Sequence, residues 1–191
     1  MNKRWLLLTA AAVLGLVLVV WVVAPWFQRD RLVQGLHDEN PAVRAAAIRR
    51  LPWGSDEALL IERLTDDDDD VRLLAAERLG GEGPNGEERA WALVRSLKDP
   101  HAGVRREAAR SLGLIGPDAW PAIREALNDA DARVRMGAAI ALEDACSPKQ
   151  LKRPWPSRES DVVVPALREL LDDADPEVCC IAKEALGRVQ R

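Results

Sequence analysis

The chain has 191 residues, room for one domain and little more. Charged residues make up 30% of it and the net charge is −4, a balance that argues against nucleic acid as a partner, because neutralising phosphates needs surplus Lys and Arg. With one Phe and no Tyr it is poor in the aromatics that all-β folds favour, and Ala, Leu, Arg and Glu, strong helix formers, dominate.

The first element is an apolar run. Trp5 to Ala24 is twenty residues without a charge. A helix of that length spans about 30 Å of hydrocarbon. Trp5 stands at one end, Trp21, Trp26 and Phe27 stand near the other, and Pro25 stops the helix. The run exceeds the apolar core of a cleaved signal peptide, and Pro25 follows the small-residue site Val22-Val23-Ala24. The expectation is a retained single-pass anchor in residues 1–28, with the membrane contacted through residues 5–24. Lys3 and Arg4 favour a cytoplasmic N-terminus, against a weaker pull from Arg29 and Arg31, so the remainder is expected outside the cytoplasm, as in a periplasm. Without Lys3 and Arg4 the chain carries 25 basic and 31 acidic residues.

Residues 29–191 hold an internal repeat. Five segments align on Leu36, Leu64, Leu97, Leu127 and Leu171. Four residues earlier comes Leu32, Leu60, Leu93, Ile123 or Leu167. Two residues later comes Asp38, Asp66, Asp99, Asp129 or Asp173. Then follow Val43, Val71, Val104, Val134 and Val178; Ala47, Ala75, Ala108, Ala138 and Ala182; and Leu51, Leu79, Leu112, Leu142 and Leu186. Val, Ala and Leu at four-residue spacing share one helical face, and the earlier apolar pair marks another helix. Asn40-Pro41, Asp99-Pro100 and Asp175-Pro176 between them are turn and helix-start signals. Each unit therefore reads as helix, turn, helix. Such a hairpin hides its apolar side only by stacking on its neighbours, which gives an all-α, right-handed α-solenoid of about five hairpins behind one transmembrane helix. The units run about 29–53, 54–82, 83–116, 117–145 and 159–191, with a Pro-rich basic loop at 146–158.

Four units place Arg44, Arg72, Arg105 or Arg135 directly after the Val. The motif Leu-x-Asp-x4-Val-Arg-x2-Ala-x3-Leu, clearest in Asp99 to Gly116, resembles the short HEAT-like repeats of phycobilisome lyases, and the likeness covers roughly residues 29–191. Val164-Pro165-Ala166-Leu167 and Trp120-Pro121-Ala122-Ile123 match that family's Pro in the first helix. The resemblance implies that the Asp and Arg residues link turns of the same or adjacent repeats. That role falls on Asp38, Arg44, Asp66, Arg72, Asp99, Arg105, Asp129 and Arg135. The fifth unit departs from the motif: Cys179 stands in place of Arg, so Asp173 needs another partner or faces water, as in a terminal cap.

Nothing assembles into a catalytic, cofactor or metal set. His37 and His101 both fall in turns, of different units, and read as solvent-facing. The run Asp66–Asp70 lacks the Gly and the closing Glu of a calcium loop. Cys146 and the pair Cys179, Cys180 sit about 16 Å apart along parallel second helices, too far for a disulfide. Counted from each Val, positions +2, +3 and +6 of the second helix point away from the stack, onto the expected concave side. There Leu73, Leu74, Met136 and Ile140 are apolar where water is expected, flanked by Arg49, Arg106 and Arg110. Such a patch suits a protein partner, with Trp155 in the basic loop as a further contact. The expected function is a membrane-anchored interaction scaffold or assembly factor that is not an enzyme. The alternatives are a lyase-related or chaperone-like role in bilin-type cofactor attachment, implied by the resemblance, and nucleic-acid binding through the Arg-bearing second helices.

Overall fold

The computed structural model describes the backbone of residues 24–81, 83–145 and 157–189. Ten α-helices and no strand occur among these residues. Residues 1–23 of the expected anchor lie outside them, as do Cys146 and Trp155, while residues 24–28 belong to the first described helix. Among the described residues no helix is long and apolar enough to cross a membrane. The chain divides into two compact parts, residues 1–51 and 52–191.

The first part contains α1 (Ala24–Leu36) and α2 (Pro41–Arg50). Asn40 caps α2 by accepting a hydrogen bond from the Ala42 N–H at 2.9 Å, and Pro41 follows where its missing N–H costs nothing. Leu36, Ala47 and Ile48 are buried. Val43 is not: it is 40% exposed, whereas Val71, Val104 and Val134 are 0% exposed. The position of Gly35 is held in the next hairpins by Arg63, Ser96 and Ala126. A Cβ on Gly35 would lie 3.1 Å from the Ala47 Cβ and 4.0 Å from the Val43 Cγ1, so the glycine lets the two helices approach closely.

The second part holds α3 (Glu57–Arg63), α4 (Asp69–Leu79), α5 (Gly86–Ser96), α6 (Ala102–Ile115), α7 (Trp120–Ala126), α8 (Ala132–Ala145), α9 (Ser157–Glu169) and α10 (Pro176–Val189). These are four hairpins, each with its two helices in contact. The second helices pack in chain order, α4 on α6, α6 on α8 and α8 on α10, which is the layer that makes an α-solenoid. Leu60, Leu64, Val71, Ala75, Leu79, Leu93, Leu97, Val104, Ala108 and Leu112 are buried, as the repeat demands, and so are their counterparts in the last two hairpins up to Leu186, Leu171 excepted. Burying one Leu or Val contributes roughly 1.5–3 kcal/mol. That packing, rather than helix propensity, holds seven-residue elements such as α3 and α7, which are too short to persist alone.

Two details differ from the sequence alignment. The last first-helix begins at Ser157, inside the span expected to be loop. It closes in a 3₁₀ turn, Leu170–Asp172, whose tighter winding buries Leu170 and leaves Leu171 half-buried in the alignment's closing position.

Candidate functional site

Two surfaces collect polar side chains at repeated positions: the edge where the hairpins turn, and the outer face of the second helices.

At the turn edge every hairpin builds the same Asx turn. The Oδ1 of Asp38, Asp66, Asp99, Asp129 and Asp173 accepts from the backbone N–H two residues on, at 2.8–3.1 Å. The guanidinium that follows the Val then ties the turn to its own second helix. Arg44 Nη1 donates to the Asp38 and Glu39 carbonyls at 2.8 and 3.0 Å. Arg72, Arg105 and Arg135 repeat this pattern on Asp66 and Asp67, Asp99 and Pro100, and Asp129 and Ala130. Cys179 keeps one strand of it: its Sγ donates to the Asp173 carbonyl at 3.2 Å.

In two of these arginines the other edge of the guanidinium reaches the next hairpin. Arg72 Nε and Nη2 grip the two Asp99 carboxylate oxygens at 2.7 and 3.2 Å. Arg135 grips Asp173 at 2.7 and 2.8 Å. Asp173 therefore does not lack an arginine because Cys179 replaces one; the preceding hairpin supplies Arg135. The Arg135 hydrogen bonds hold the Asp173 carboxyl below its ordinary range. Arg105 and Asp129, both expected in this ladder, do not meet as a rung. The Lys98 amine takes Asp129 at 3.1 Å, and the Asp131 N–H, then Lys98, depress the Asp129 pKa.

On the second-helix face, Leu73, Met136 and Ile140 are half-buried, and Arg49, Arg106 and Arg110 are exposed. Leu74 is a correction, being only 9% exposed. Its position is the one Gly137 holds two hairpins on, and there a Cβ would strike the Leu97 Cδ2 at 2.6 Å. In these two hairpins position +3 looks into the stack, while +2 and +6, Leu73 and Glu77 on α4 and Met136 and Ile140 on α8, stay half-buried in an outer row. Arg110 pairs with Glu107 at 3.0 Å. Asp144, on the last turn of α8, has its pKa raised by burial, which outweighs the attraction of Arg110 and Arg106.

Sequence reasoning missed two side chains. Arg89, only 2% exposed, gathers the loop before α5. Its Nη1 donates to the Leu79 and Gly81 carbonyls at 2.8 and 3.1 Å, Nη2 to Gly83 at 3.1 Å and Nε to Pro84 at 3.1 Å. Glu57 Oε1 lies 3.2 Å from Nε as the counter-ion, and Asn85 Nδ2 donates to Glu57 Oε2. The signal was present: Arg89, Leu93 and Leu97 follow at four-residue spacing, so a charge occupies an apolar stripe beside a Gly-rich loop. The second is Trp53, 62% exposed, with the Arg78 guanidinium 4.2 Å from its ring centroid.

The candidate metal ligands serve the fold. Asp68 caps α4 through the Val71 N–H at 3.1 Å, and Asp69 lies 3.4 Å from exposed His101. Among the described residues no cluster of His, Cys, Asp and Glu is arranged to hold a metal ion, and Cys179 and Cys180 are free thiols.

Helical hairpins, stacked through their second helices and tied by an Arg and an Asp at each turn, define an α-solenoid repeat protein. A family model for HEAT repeats matches residues 29–101 and 90–153, well over half of the chain. The chain belongs to the HEAT-repeat family. Its structure is similar to that of the archaeal HEAT-like repeats protein from Thermococcus onnurineus NA1, with TM-score 0.56 and 14% identity over 84% of this chain and 70% of that one. An engineered protein matches at TM-score 0.48 and 25% identity, over 85% of this chain and 79% of that one. A designed armadillo repeat protein in complex with the peptide (KR)4 matches at 0.45 and 21%, over 83% and 80%. No curated protein matches the chain.

Proposed function

We propose that this chain is a membrane-tethered interaction scaffold or assembly factor that holds a protein partner on its second-helix face. The observation that carries the reading is the outer row of α4, α6 and α8, where Leu73, Met136 and Ile140 stay incompletely covered beside exposed Arg106 and Arg110. Apolar side chains flanked by Arg are the composition of an interface core and its rim. HEAT-type solenoids commonly serve this way, which supports the role by analogy of fold. The tether rests on the uncharged run Trp5–Ala24, and Lys3 and Arg4 before it favour a repeat domain outside the cytoplasm.

The test is affinity capture from membranes with the full-length chain and with Leu73→Asp/Ile140→Asp. Both positions are half-buried, so a circular dichroism melt accompanies the capture. The proposal expects a folded double variant that loses a partner the parent retains. A folded double variant that keeps every partner of the parent would sink it.

A further inference from the structure

We propose that the Nε–Nη2 edge of Arg105 is a docking point for an aspartate carboxylate on a turn of a partner protein. The second part of the chain contains three guanidinium groups placed alike. Arg72, Arg105 and Arg135 each stand in the first turn of a second helix, with Nη1 fixed on two carbonyls of their own turn at 2.8–3.2 Å. Guanidinium is planar, so pinning one nitrogen to two acceptors orients the opposite edge.

The protein itself shows what that edge takes. Arg72 and Arg135 each hold an Asp carboxylate with two parallel N–H bonds. Both captured carboxylates, Asp99 and Asp173, also accept the backbone N–H two residues on, so the preferred ligand is an aspartate already in an Asx turn. At the third position this ligand is absent. Asp129 is the carboxylate that the repeat would offer, in the same Asx turn, but the Lys98 amine holds its Oδ2 at 3.1 Å. Nε and Nη2 of Arg105 have no partner among the described residues, and the side chain is partly exposed. A donor fork ordered by its own turn binds without first losing rotamer freedom, which is the condition for an anchor point. The site lies at the turn edge and does not depend on the second-helix face.

The experiment follows the Nε–Hε signals of Arg72, Arg105 and Arg135 by NMR in the ¹⁵N-labelled full-length chain. The probe is a synthetic peptide of this chain's own residues 170–178, Leu-Leu-Asp-Asp-Ala-Asp-Pro-Glu-Val, with a second peptide carrying Asn at the Asp173 position. Arg105→Lys, which keeps charge and loses the fork, identifies the Arg105 signal. The proposal expects a saturable shift of Arg105, a loss of about tenfold or more in affinity for the Asn peptide, as one charge-assisted bond implies, and stationary Arg72 and Arg135 signals. An unmoved Arg105 signal, equal binding of both peptides, or the same shift with sodium acetate at matched ionic strength would overturn it. Should Arg105→Lys fail to fold, Arg105→Gln removes the same signal and the two peptides still decide.

Discussion

Arg89→Ala is the substitution with the largest consequence that the structure allows to be worked through. It deletes a guanidinium that is 2% exposed and satisfies four carbonyls in the loop from Leu79 to Pro84. Not all of these are lost to the same effect. Gly83 and Pro84 are exposed and Gly81 is half-buried, so their carbonyls can turn to water. Leu79 is fully buried and Glu57 nearly so, and neither can. The variant leaves one buried carbonyl without a partner and the buried Glu57 carboxylate without its counter-ion, with only the Asn85 amide on it, a loss of roughly 3–5 kcal/mol. Set against a typical stability of about 5–15 kcal/mol, that is enough to shift an unfolding curve well below the parent's. The assay is urea denaturation of the full-length chain followed by helical ellipticity. Arg89→Met combined with Glu57→Leu is the control, since removing both charges removes the unpaired ion; it should recover most of the loss. A single variant within about 1 kcal/mol of the parent would refute the assignment of Arg89 as the clasp of this loop.

The remaining predictions are smaller. His101 is the N-cap of α6 and makes no side-chain cap, whereas Asn40, Asp68, Asp131 and Asp175 at the equivalent positions each accept a nearby helical N–H. His101→Asn is expected to stabilise by about 0.5–1 kcal/mol in the same denaturation assay. Asp144 gives a pH dependence. Its folded pKa is raised by burial, so its charged form opposes folding and the cost appears as pH rises above the unfolded value near 4. Asp144→Asn should therefore melt higher than the parent at pH 7, with the difference fading below about pH 4; a variant that melts lower at pH 7 would contradict the reading.

The stacking was legible in the sequence because it rests on one period. Val, Ala and Leu at four-residue spacing name the buried stripe of each second helix, and the Asp and Arg of the motif name the turn. What escaped depends on neighbours in three dimensions. Val43 fits the stripe as well as Val71 does and is 40% exposed all the same. Leu74 and Leu73 are adjacent in sequence, but the packing of successive second helices buries the first and leaves the second half-buried. Asp173 looked orphaned because the missing arginine was sought in its own hairpin, when the rung runs from the hairpin before. Arg105 and Asp129 match the motif as well as any pair, and Lys98, one residue past the closing Leu97, intercepts the carboxylate. Spacing fixes which residues share a face and leaves open which of two cations arrives first.

The most direct test of the scaffold reading is site-specific photocrosslinking in native membranes. A benzoylphenylalanine at position 140, in the outer row of α8, is compared with one at position 88, an exposed site on the first helix α5. The account predicts a discrete adduct from position 140 that unlabelled partner competes away, and none from position 88. The same adducts from both positions, or adducts from position 88 alone, would contradict it.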